Sequence, residues 1–78
     1  MLEELDVMAA ELNESNAGPC AVHLEYLLRQ NPVLIDKRPD FRMIAYWIGM
    51  AKYKGESMAA HLRNYIVVAR TLMTMELK

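Results

Sequence analysis

The sequence predicts an all-α fold, a small four-helix bundle-like domain whose third and fourth helices form an antiparallel hairpin. Three observations predict it. Apolar residues recur at intervals of three and four through most of the 78 residues, no stretch alternates apolar with polar residues for more than a few positions, and proline and glycine fall where helices would begin and end. Hydrophobic residues make up 54% of the chain and charged residues 24%, a balance that favours a packed globule over disorder. Residues 1–78 are read as one domain without internal repeats. A domain this short buries only about 60% of the surface its unfolded chain exposes, so its core is thin.

The first helix is expected from Leu2 to Leu12, with Leu2, Leu5, Met8, Ala9 and Leu12 on one side and Glu3, Glu4 and Glu11 on the other. Turn and cap formers fill Asn13 to Gly18, and Pro19 opens the second helix, where its missing N–H costs nothing. That helix is expected to run to Asn31 with Cys20, Ala21, Leu24, Leu27 and Leu28 inside, and to stop before Pro32. Pro32 to Arg38 reads as an extended connection whose apolar centre, Val33, Leu34 and Ile35, plugs a gap in the core. The third helix is expected from Pro39 to Lys54 and is ended by Gly55. The fourth runs from Glu56 to the C-terminus.

Charge is unevenly spread. The net charge is −1, yet residues 1–25 hold six acids and no base, while residues 26–78 hold nine bases against four acids, so the two parts stand at −6 and +5. The expectation is that the parts attract each other within one fold. No run approaches the ~20 apolar residues of a membrane span, and the acidic start is unlike a secretory signal. A cytoplasmic protein without a membrane partner is expected, and the single thiol, Cys20, fits a reducing compartment.

The last two helices carry more apolar surface than a core of this size has room for. On the fourth, Met58, Ala59, Leu62, Tyr65, Ile66, Ala69, Leu72 and Met73 form one arc that Val68 and Met75 widen to about half the circumference, beyond the ~100° that docks on a core. The third has one face of Phe41, Ile44, Ile48 and Ala51 and another of Met43, Tyr46, Trp47, Met50 and Tyr53. Monomers rarely leave so large an apolar patch exposed. A homodimer or a docking surface for another protein is therefore expected, with Tyr46, Trp47, Met50, Tyr53, Tyr65, Val68, Leu72 and Met75 at the contact; aromatic residues and methionine are favoured there.

Chemical signals are sparse. Cys20 and His23 lie three apart near a helix start, with His61 as a conceivable further ligand, but a closed zinc site needs a second short-spaced pair and the sequence has none. A thiol in the first turn of a helix is expected to have a lowered pKa. His61 falls within the apolar arc and reads as a buried structural histidine, which would make assembly sensitive to pH near 6. Glycine-rich phosphate loops, paired catalytic carboxylates and serine elbows are all missing, so neither an enzyme nor a cofactor or metal is expected.

The function expected is a non-enzymatic protein–protein interaction module: a regulator, inhibitor or adaptor. Its profile resembles that of short regulatory proteins, those of phages and mobile elements among them. The rival is a DNA- or RNA-binding regulator gripping phosphates with Lys37, Arg38, Arg42, Lys52 and Lys54, edged by Arg63 and Arg70. Against it stand the acidic first helix, the sequence pI of about 6.1 and an interhelical connection too long for a helix-turn-helix. A third possibility is an accessory subunit packed in a larger complex.

Overall fold

Prolines, asparagines and one glycine mark the main joints of the chain, and the computed structural model, which describes residues 2–76, places helices between them. In chain order these are α1 (Leu2–Glu11), α2 (Ala17–Arg29), α3 (Pro32–Lys37), a 3-10 turn (Pro39–Met43), α4 (Ile44–Tyr53) and α5 (Met58–Glu76). The described residues contain no strand, as expected. The described residues form five α-helices and a 3-10 turn where four helices were anticipated.

The α1–α2 joint is built from two asparagines that bond each other's backbone. Asn13 Oδ1 accepts the N–H groups of Ser15 (2.8 Å) and Asn16 (3.0 Å), and Asn16 Oδ1 accepts that of Asn13 (2.8 Å). Asn16 Nδ2 then donates to the carbonyl of Glu11 (2.9 Å), which α1 leaves without an intrahelical partner. This turn is tighter than expected, so α2 begins at Ala17 and takes Pro19 into its first turn, where proline's missing N–H is no loss.

Two expectations about the middle of the chain fail for local reasons. Residues 32–37 are helical, not extended. Pro32 presets the first helical φ, and the Asn31 carbonyl accepts from Leu34 N (3.1 Å) and Ile35 N (3.3 Å). An extended strip against the core would leave such groups unpaired; one short helix satisfies them and still buries Leu34 and Ile35 while Val33 faces out. The helix expected over 39–54 is broken at Met43, whose φ of −127° and ψ of 32° interrupt the ladder. Side chains of α2 hold the break: Arg29 donates to the carbonyl of Arg42 (2.7 Å), and Glu25 Oε1 accepts the N–H of Ala45 (3.2 Å) at the bare start of α4. The bend lets Phe41 drop fully into the core.

At the other end of α4, Gly55 adopts φ +77°. Its N–H bonds the Lys52 carbonyl and that of Glu56 bonds Ala51 (2.9 Å), a pairing that only a left-handed residue closes. Ser57 caps α5 by accepting from Ala60 N (3.0 Å).

Helices α2, α4 and α5 pack on one another, α1 lies against α5, and α3 with the 3-10 turn covers one end of α2. Leu24, Leu28, Phe41, Ile44, Ile48, Leu62 and Ile66 fill the interior, with Leu5 and Leu34 added from the flanks. The protein measures 38 × 24 × 16 Å. With helix axes about 8–10 Å apart, 16 Å is two layers at most, so every helix keeps one side outward.

Candidate functional site

The position of α5 determines what the surface offers. One of its edges carries Arg63 and Arg70: Arg63 donates to the carbonyl of Leu12, just past the end of α1 (3.4 Å), and Arg70 Nε to Asp6 Oδ1 on α1 (2.7 Å). That second contact joins the acidic and basic parts of the chain and lowers the pKa of Asp6, chiefly through the hydrogen bond itself. The opposite edge carries His61, Tyr65, Val68 and Leu72 and turns toward α4 and the 3-10 turn.

Two shallow depressions run along that second edge and share His61 and Tyr65. One, of about 200 Å³, is walled by Trp47 and Met50 of α4 and by Lys54 just after it; the other, of about 180 Å³, lies among Arg38, Asn64 and Val68. Of the eight residues singled out for an interface, the structure thus brings Trp47, Met50, Tyr65 and Val68 together. Tyr46 joins them by stacking edge-on against Trp47 (ring centroids 4.9 Å, 77°). Leu72 continues the same α5 edge half-buried, Met75 lies beyond it in solvent, and Tyr53 projects from the end of α4. Tyr46, Trp47 and Tyr53 are 51%, 42% and 87% exposed.

Tyr65 ties this surface to the core. Its ring meets the buried Phe41 edge-on at 6.1 Å. Its phenol pKa is raised by burial and further by the charge of Asp40, with Arg38 opposing, so it presents a neutral hydroxyl. Arg38 is bidentate to Asp40 (3.1 and 2.9 Å) and lies over the Phe41 ring at 5.2 Å.

The five basic residues considered for nucleic acid are dispersed. Arg38 is neutralised by Asp40. Arg42 lies with Arg29 beside a hollow that also holds Asp36. Lys52 lies in the last turn of α4 and Lys54 in the turn that follows it, and Lys37 is exposed on α3.

Two further expectations are corrected. His61 is exposed, with Nε2 3.0 Å from Glu56 Oε1; one turn into α5 it lies at the rim of the apolar arc, within reach of the preceding loop's carboxylate, and not under the arc. Cys20 has a raised pKa, because partial burial and then the nearby Glu11 charge both disfavour the thiolate. With α2 starting at Ala17, Cys20 is already at the end of the first turn, where the helix dipole fades. No group of three His, Cys, Asp or Glu side chains is placed to hold a metal among the described residues.

Sequence reasoning missed one surface. Between α1 and α2 lies a depression of about 330 Å³ with Val7, Met8 and Cys20 as its floor, Glu3, Glu4 and Glu11 along one rim and His23 on the other. Beside it Val22 and Tyr26 stand 60% and 63% exposed. Their spacing of four, on the side of α2 away from its leucines, was the available signal. Compared with known proteins, the chain matches no family model, no curated protein and no solved structure.

Proposed function

We propose that the chain is a small, non-enzymatic protein–protein interaction module that docks the outward face of the α4–α5 hairpin on another protein. The observation that carries this reading is the exposure of Tyr46, Trp47 and Tyr53 in one strip continuous with the half-buried Met50, Tyr65, Val68 and Leu72. Aromatic side chains offer large contact area and lose little rotamer freedom on binding, and the flexible methionine thioether adapts to a partner's shape, which is why interface centres favour both. The edge-on Tyr46–Trp47 pair is already ordered in the free protein, so less entropy is lost when it is covered. Dispersal of the basic residues weighs against a phosphate-gripping surface, and a thiol held protonated weighs against a nucleophile.

The test compares the tagged chain with a Tyr46→Ala/Trp47→Ala variant in capture from the native host. Both side chains are exposed, so the helical circular dichroism of the variant stays as in the wild type. Loss of two central aromatic anchors is expected to weaken the captured partner by about 2 kcal/mol or more, roughly 30-fold. Equal retention by both proteins overturns the reading.

A further inference from the structure

We propose that the α4 face is received by a second copy of this chain, head to tail, with α4 lying in the acidic groove between α1 and α2; this rests on reading the α4 face as a docking surface. Charge is the first argument. The −6 and +5 imbalance is only partly cancelled within one molecule, by Asp6 with Arg70 and by Glu25 with Arg29 (3.5 Å). Glu3 and Glu11 at the groove, and Lys52 and Lys54 at the C-terminal end of α4, form no ion pair among the described residues. Each unpaired set borders exposed apolar side chains, and the two sets are opposite in sign.

Shape is the second argument. Tyr46, Trp47, Met50 and Tyr53 stand at i, i+1, i+4 and i+7 along α4, and i, i+4, i+7 is a spacing with which an amphipathic helix lays its anchors in a groove between two others. The α1–α2 groove has an apolar floor and, at about 330 Å³, falls at the small end of ligand-sized cavities (about 300–1,000 Å³), room for one or two aromatic side chains. Lys52 in the last turn of α4 and Lys54 just after it put two positive charges at one end of the apolar strip, where they can lie beside the carboxylates of α1. Stacking copies this way covers both open apolar surfaces with a single contact.

The geometry also sets the kind of assembly. Because α1 docks on the Arg63–Arg70 edge of α5 and α4 on the other, two copies do not reach both contacts at once. The contact is heterologous, and copies add in a row or close into a ring.

Sedimentation of the wild-type chain should show mass rising past the dimer with concentration, and falling back toward 9.0 kDa as salt is raised and screens the rim charges. Two variants separate the faces: Glu3→Lys/Glu11→Lys spoils the groove and leaves α4 intact, and Lys52→Glu/Lys54→Glu does the reverse. Each alone is expected to be monomeric; mixed in equal amounts they assemble again, because the unaltered α4 face of one meets the unaltered groove of the other and the two reversed surfaces are once more opposite in sign. Glu3→Gln/Glu11→Gln, gentler on α1, repeats the groove arm if the lysine variant loses helical signal. A wild type that stays monomeric at every concentration overturns the proposal, as does an oligomer indifferent to the α1 substitutions, which marks a symmetric α4–α5 contact instead. Neither result affects capture of a different protein through Tyr46 and Trp47, so the two readings fail separately.

Discussion

Ile44, Ile48 and Ala51 on the inward side of α4 are almost wholly buried, whereas Tyr46, Trp47 and Tyr53, a position or two away on the same ten-residue helix, are exposed. Hydropathy alone does not separate the sides. Chemistry does: the inward side is aliphatic and bare of polar atoms, as a dry interior requires, while the outward side is aromatic, with phenol and indole groups that stay hydrogen-bonded in a contact water can reach. Where a short helix is apolar all round and the fold is two layers deep, side-chain type tells which side the protein keeps for itself.

The sharpest way to break that comparison is one truncation on each side. Ile48→Ala leaves a hole beneath α2 and α5 and is expected to cost about 2–5 kcal/mol, a large part of the roughly 5–15 kcal/mol that holds a small domain folded. Tyr53→Ala removes a side chain that is 87% exposed and should stay within about 0.5 kcal/mol of wild type. Urea denaturation followed by helical circular dichroism reads both. Equal losses would make the outward face structural and remove the basis for docking.

How much of this was legible follows the same divide. The inward residues of every long helix were readable from spacing, because periodicity is imposed by burial; Phe41, Ile44, Ile48 and Ala51 were named together and are buried together. The break at Met43 was not readable, since Glu25 and Arg29 of α2 impose it from outside the segment. The helix at residues 32–37 was hidden because six residues give too few turns for a period to show. His61 was misplaced because a helical wheel carries no loops and so no Glu56. The α1–α2 groove escaped because its floor and rim come from two helices whose relative placement only the fold supplies.

A smaller effect tests whether the turn at Gly55 holds α4 and α5 in place. An added Cβ at Gly55 would meet no atom within 4 Å, so the whole penalty of Gly55→Ala lies in its φ of +77°. A left-handed alanine costs about 1–2 kcal/mol. Thermal or urea unfolding should show that loss, and Gly55→Asn should recover part of it, because asparagine tolerates this conformation. A neutral Gly55→Ala would mean that the α4–α5 connection rearranges freely, and the inward and outward sides of α4 would then be less sharply set than their burial indicates.

The smallest expected effect concerns the start of α5, which positions Tyr65 beside Trp47 and Met50. Glu14 reaches over from the α1–α2 turn and accepts from the Ser57 hydroxyl and from Ala59 N (3.2 Å). These bonds, Ser57 first, hold its pKa below the usual 4.5 although burial opposes them. The unfolded chain therefore takes up this proton at a higher pH than the folded one, so the contribution is complete above the unfolded value and disappears as pH falls through the lowered folded value. Asp6, held below its usual 3.8 by Arg70, acts in the same direction at the other edge of α5. Glu14→Gln should be less stable than wild type at neutral pH, and the two stability curves should converge as the solution is made acid, leaving the Asp6 dependence common to both. Parallel curves would show that the carboxylate adds nothing to α5. Trp47 is the chain's single tryptophan, so its emission, followed through the same acid titration, reports whether the outward face loosens in step with the helix start that supports it.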